Sequence, residues 1–363
     1  MPVAIDVYVE DPTTALLTYN TVRLWRDTTP DGAFSTLATT TPLVALQRLY
    51  ALLDASAVPG SLFRSTLYHS GTAAETPLGP VIPAAATTML RLRLEAAREV
   101  GQAFQAACSA LGSTTTLIDA ALRDTGFDEH FLEGNWIYRP NAAAADRLRR
   151  IAVGGFDITT GTLTVTRAWG VAPANAETYQ VFGIAPPIDW PGEPYSWDRA
   201  IREGLANVWY QDQIYLGTGD TLGKTRFDLS PYSGYLTEED IFKAWRRVTD
   251  TNGNIDDQDA DNNGSWWRTV RNGPGSLAVD VFPPPSTSEL VVLDVNRQFE
   301  RLYVDGDYQT GPFELARKAV THRFYEGMNA IHNGQYSGEL AAAQAAFQRE
   351  YAKWRPGMTV RGV

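Results

Sequence analysis

The chain has 363 residues, 44% apolar and 20% charged, with 42 acidic against 31 basic residues and a formal net charge of −11. That length covers two or three compact units, and the mixture is that of an ordinary folded protein, which excludes a disordered or fibrous chain. Apolar runs fall far short of the ~20 residues that cross a bilayer, and Met1 to Asp6 show no basic segment followed by an apolar one, so neither a membrane span nor a secretory signal is expected and synthesis in the cytoplasm is.

Residues 1–85 read as all-β. Strand-forming runs at Ile5 to Val9, Tyr19 to Trp25 and Leu62 to Tyr68 are separated by turn chemistry at Thr29-Pro30-Asp31-Gly32 and Val58-Pro59-Gly60, a spacing that predicts a small β-sandwich. Leu43 to Leu53 fits either a strand or a helix face through Leu43, Leu46, Leu49 and Leu53. From Leu53-Asp54 through Pro59-Gly60, Phe63 and Tyr68 to Glu75-Thr76-Pro77, the segment resembles the later strands of a fibronectin type III or immunoglobulin-like module. Gly79-Pro80-Val81-Ile82-Pro83 reads as a linker and places a boundary near residue 85.

Helical periodicity then takes over. Residues 86–111 carry Leu90, Leu94, Ala97 and Phe104 on one face, with Thr87 or Thr88 as N-cap. Residues 196–211 open at Ser196 and align Trp197, Ile201, Leu205 and Val208. Residues 311–363 start a helix with Pro312 at N1 and Phe313, Ala316, Val320, Phe324 and Met328 along a face. They turn at His332-Asn333-Gly334 and close with Leu340, Ala343, Phe347, Tyr351 and Trp354. Between these segments lie a β module at 112–190 and a second β excursion with an acidic loop at 212–310. The predicted fold is therefore α+β: an N-terminal β-sandwich, then a helical-bundle core with two inserted β modules.

Little in the chain points to chemistry. Cys108, the lone cysteine, sits in an Ala-rich apolar stretch and reads as a small buried hydrophobe. His69, His130, His322 and His332 are scattered, which argues against zinc. Gly217 to Thr225 imitates a phosphate loop, but position 218, where its first glycine belongs, is Thr218, and the residues after it continue as a strand instead of opening a helix. Asp250, Asn252, Asn254, Asp256, Asp259 and Asp261 alternate hard oxygen donors and are candidate calcium ligands. They lack the turn glycine and terminal glutamate of a calcium-binding loop, and a solvated hairpin tip is favoured. No catalytic residue and no cofactor site is assigned. Trp197, Trp209, Phe324, Tyr351 and Trp354, at helical spacing, are core or subunit-interface candidates.

From Met89 onward the order of elements resembles the head-tail connector (adaptor) proteins of tailed bacteriophages. The carriers are the Leu- and Arg-rich opening helix, the inner segment Ile201-Arg-Glu-Gly-Leu-Ala-Asn-Val-Trp209, and the final Pro312-Phe-Glu-Leu-Ala-Arg-Lys-Ala319 helix pair, each separated by a β excursion. Gly134-Asn-Trp136-Ile-Tyr138, Gly161-Thr-Leu-Thr-Val165 and Glu177-Thr-Tyr179 resemble a β module recurrent in phage virion proteins. The resemblance implies a non-enzymatic ring of identical subunits, often about twelve, closing by rotation. Its implied partners are the portal protein and tail or neck proteins of the virion, with DNA passing nearby. Excess acidic charge suits such a conduit, because it removes the counterion release that makes DNA bind tightly. A tail or baseplate component and a carbohydrate-binding or carbohydrate-active surface protein are the alternatives.

Overall fold

The protein's structure, a computed structural model, describes residues 3–27, 33–45, 47–57, 61–79, 82–83, 86–125, 128, 130–219, 221–229, 237–249, 255–259, 266–273 and 276–354. The first unit contains β1 (Val3–Tyr8), a short helix α1 (Pro12–Ala15), β2 (Thr21–Asp27), β3 (Thr36–Pro42), β4 (Leu49–Asp54), β5 (Leu62–Tyr68) and β6 (Ile82–Pro83). Strands β1 and β4 form a ribbon, and β3-β2-β5-β6 form a second antiparallel sheet. Alternating side chains from both, among them Ile5, Val7, Val22, Leu24, Tyr50, Leu52 and Phe63, meet in one apolar cluster. The ambiguous Leu43 to Leu53 segment ends as a strand because Leu49 to Asp54 pair residue for residue with Tyr8 to Val3.

Next come β7 (Thr87–Thr88) and helix α2 (Met89–Glu99). Thr88 caps α2 by accepting the Arg91 N–H on its Oγ1, and the N–H groups of Met89 and Leu90 donate to the carbonyls of Asp307 and Asp305. Gly101, at φ +70°, ends the helix. The chain then turns into β8 (Ala103–Ala107), followed by β9 (Thr116–Ile118), β10 (Trp136–Tyr138), β11 (Leu148–Asp157), β12 (Thr162–Val165) and β13 (Thr178–Phe182). These make a six-stranded antiparallel sheet in the order β8-β13-β10-β11-β12-β9. The sheet curls back on itself: past β8 the Ser109 N–H donates to the Ile118 carbonyl, and Ala110 bridges Ile118 on β9. A register shift between Ile151 and Phe156, at Gly154 and Gly155, bends β11 and helps the curl. Leu117, Ile137, Ile151, Leu163, Tyr179 and Val181 fill the inside.

Helix α3 (Trp197–Leu205) follows, capped by Ser196, and leads into β14 (Trp209–Thr218), β15 (Arg226–Asp228), β16 (Ile241–Thr249), β17 (Ile255–Asp259), β18 (Trp266–Gly273), β19 (Ser276–Phe282) and β20 (Glu289–Gln298). A four-stranded sheet, β14-β20-β16-β17, and a three-stranded one, β15-β19-β18, enclose Ile214, Phe227, Leu229, Ala244, Val279, Val281, Val291 and Leu293. The chain finishes with β21 (Tyr308–Gln309), which pairs with β7, then α4 (Phe313–Ile331) and α5 (Ser337–Trp354), joined through Asn333 and Gly334 at positive φ.

The expectation of an α+β protein built on a helical-bundle core is overturned: strand makes up 38% and helix 23% of the described residues. Two physical reasons account for the correction. The apolar period read across 86–111 stops at Gly101, and Phe104, placed on that helix face, belongs to strand β8 and pairs with Val181 of β13. In addition, the centre where α2, α3, α4 and α5 meet is shared with Trp136, Tyr138, Leu148, Phe182, Tyr210, Phe299 and Leu302, which come from strands and loops.

Candidate functional site

The centre holds a buried cluster of charged side chains that apolar packing alone would forbid. Met89, Arg93, Ala96 and Ala97 lie on the buried side of α2, and Arg93 is completely enclosed. A buried cation persists only where it is paired and hydrogen-bonded. Arg93 Nε donates to Asp198 Oδ1 at 2.7 Å and Nη2 donates to Asp305 Oδ1 at 2.7 Å. Asp198 occupies the first turn of α3, where the helix dipole also favours an anion. Asp305 lies in the loop that covers the start of α2, and its Oδ2 accepts the Tyr138 hydroxyl from β10, with Arg147 Nη1 3.8 Å away.

Two carboxylates facing one guanidinium cannot share the compensation equally. Burial, opposed by Arg93, pushes the Asp198 carboxyl up to about 6. For Asp305, burial is outweighed by Arg93 and Tyr138, and its carboxyl is held below the ordinary range. Burial beside Asp305 drives the Tyr138 phenol far upward, so it stays a donor. The cluster thus ties α2, α3, the curled sheet and the 299–307 loop into one piece. It provides no metal site: among the described residues no three His, Cys, Asp or Glu side chains converge as metal ligands.

The predicted interface residues separate into different places. Trp197 and Phe324 are 0% exposed and stack on each other inside the centre, so neither offers surface to a neighbour. Trp209, at the start of β14, is 39% exposed. Tyr351 and Trp354 lie half-buried on α5, Tyr351 stacked against Phe347 and Trp354 donating Nε1 to Glu350 Oε1. Of the calcium candidates, Asp250, Asn252, Asn254 and Asp261 lie outside the described residues. Asp256 and Asp259 are on β17, opposite Val248 and Trp245, and exposed Asp256 accepts from Gln258 Nε2. Cys108 is buried, and burial pushes its thiol up to about 12.

Two features, one buried and one on the surface, went unnoticed in the sequence. Arg93 was legible: it falls four residues after Met89 on the apolar side of α2, a position where a charge demands a partner. The outer face of the β14-β20-β16 sheet was not, because it depends on strand pairing. There Tyr215 and Trp245 flank Val292 in register. Trp245 Nε1 donates to Asp294 Oδ2 at 2.6 Å, Lys243 Nζ sits 3.7 Å over the Trp245 ring, and Arg247 Nη1 donates to the Tyr215 hydroxyl at 3.2 Å. No protein-family model and no curated protein matches the chain.

Proposed function

We propose that the chain is a non-enzymatic structural subunit of a tailed-bacteriophage particle, forming with identical copies a ring at the head-tail junction beneath the portal. The observation that carries this reading is the division of the cores. The β-rich segments around residues 5–86, 108–181 and 214–295 each close an apolar cluster of their own, while the chain returns between them to one shared centre. Separately cored arms on a pinned centre leave each arm's outer face free for neighbours in a ring, the portal above and tail or neck proteins below. The formal charge of −11 lets DNA pass such a ring without being held.

Electron microscopy of the purified protein and of particles tests the proposal. Closed rings, about twelvefold in symmetry, and density for the chain at the neck are expected. A strict monomer at high concentration that is also missing from purified particles would sink it; threefold or sixfold rings would move it to the tail or baseplate.

A sugar-binding reading has one observation in its favour, the half-buried Tyr215 and Trp245 with Gln213 and Asp294 beside them on an outer sheet face. Retardation of the protein in polysaccharide-containing gels, lost on Trp245→Ala, would support it. Unchanged mobility across a panel of polysaccharides would remove it.

A further inference from the structure

We infer that the cleft between the first unit and helix α2 is a cation-accepting site, taking a protonated amine or guanidinium carried on an aliphatic stem. The cleft has a volume of about 470 Å³. Its floor is the outward face of the β1/β4 ribbon, with Asp6 and Leu49; one wall is α2, with Leu90 and Leu94; the other is the curled sheet and its loop, with Gln180 and Pro140.

Two polar side chains in this lining are 1% exposed, Asp6 and Gln180. Arg91 Nη1 donates to Asp6 Oδ1 at 3.2 Å, and Gln180 Nε2 donates to Gln105 Oε1 at 3.0 Å. Asp6 Oδ2 and Gln180 Oε1 have no partner at hydrogen-bond geometry among the described residues, and the one further donor near the Asp6 carboxyl is the backbone N–H of Thr88. Both buried atoms are acceptors, so the complementary guest is a donor. Burying an unmatched acceptor, above all a carboxylate oxygen, is costly. Arg91 offsets this only in part, since its side chain is 45% exposed and reaches one oxygen. On the rim, Glu95 and Arg98 pair with each other at 3.1 Å and add no net charge.

A guest with several N–H donors and a positive charge matches acceptors of this kind, whereas an alcohol brings one donor and a carboxylate none. The leucines and Pro140 suit the methylene stem that such a head group trails. A free small amine and a lysine or arginine side chain from a second copy share this chemistry.

The test is ligand-observed NMR titration of the full chain with n-butylguanidinium and n-butylammonium, using n-butanol and butyrate as uncharged and anionic controls. The cations are expected to bind at least about tenfold tighter than either control. Asp6→Asn should weaken them at least about fivefold, with a thermal melt showing that the variant is folded. Gln180→Glu adds a second carboxylate and should tighten them at least about threefold, a gain that misfolding cannot mimic and that decides the matter if Asp6→Asn does not fold. Equal binding of n-butylguanidinium and n-butanol overturns the proposal, as does a folded Gln180→Glu protein with no gain.

Sedimentation with saturating n-butylguanidinium separates the sources. Assemblies that dissociate place a second copy's side chain in the cleft, and assemblies that persist leave it to a free amine. A monomer that still selects the cations would keep the site while the ring reading fell.

Discussion

Trp197 of α3 lies flat against Phe324 of α4, ring centroids 3.7 Å apart and planes 5° from parallel. Tyr195 and Tyr325 approach the same Phe324 ring at 6.2 and 5.5 Å, so one aromatic residue sets how the two helices pack. Phe324→Ala should cost about 3–5 kcal/mol, and Phe324→Leu under about 1.5 kcal/mol, read as shifts of the urea midpoint at constant slope. A loss below about 1 kcal/mol for the alanine variant would show that the stack does not govern this packing.

The Arg93 cluster gives stability an unusual pH dependence. Asp198, raised by burial to about 6, binds its proton more readily folded than unfolded. Its contribution is therefore most favourable below the ordinary carboxylate pKa, and declines as the pH rises through about 4 to 6. The separation between the ordinary value and about 6 corresponds to about 3 kcal/mol. Asp198→Asn should flatten this decline in denaturation measured from pH 4 to 7. Arg93→Met, which leaves two buried carboxylates without their cation, should cost about 3–5 kcal/mol at pH 7 and less at pH 4. Parallel pH profiles for wild type and Asp198→Asn would refute the assignment.

Asp280 predicts the opposite sign. It sits on β19 directly between Arg226 of β15 and Arg268 of β18. Hydrogen bonds from Arg226 Nε and Nη2 at 2.7 and 2.9 Å, joined by Arg268, hold its carboxyl below the ordinary range. Such a group stabilises the fold above the ordinary carboxylate pKa, and that contribution is lost as the pH falls through its folded value. Asp280→Asn should cost about 1–2 kcal/mol at pH 7. The gap to wild type should close as the pH drops below about 4, which acid titration followed by circular dichroism checks.

Cys108 should be chemically silent in the folded protein. It is 3% exposed, and burial followed by the nearby Glu177 raises its thiol to about 12, while the thiolate is the form that reacts. Reaction with Ellman's reagent at pH 8 is expected to be slow until urea unfolds the chain and then to reach completion. Rapid labelling of the native protein would contradict the burial of this residue.

What was legible beforehand follows the range of the signal. Ser196 and the apolar row Trp197, Ile201, Leu205 and Val208 are read within a few residues, and α3 holds the first three of the row, while Val208 lies past its end. The stretch around Phe104 is alanine-rich and locally helix-prone, yet it is a strand because β13 supplies its hydrogen bonds from more than seventy residues away. The same holds for Leu49 to Asp54, whose strand state is decided by β1. The helices give strong local patterns and strands weak ones, so reading by pattern alone overstated the helical share of the core. Asp198 and Asp305 look like ordinary surface acids in the sequence, since nothing local reveals that they converge on Arg93.

The Arg93 cluster also carries a timetable. Asp305 follows Arg93 by 212 residues, and at roughly 5–20 residues per second of synthesis the arginine waits on the order of 10–40 s for that partner. The curled sheet and the sandwich, whose strands pair within their own stretches of chain, can take shape on the ribosome during that interval. The centre cannot, because sealing it earlier would bury a cation with half its counter-charge missing. Arrival of Asp305 is thus the event that locks the centre, and a product terminated before it would expose a loosened centre to the cell's proteases.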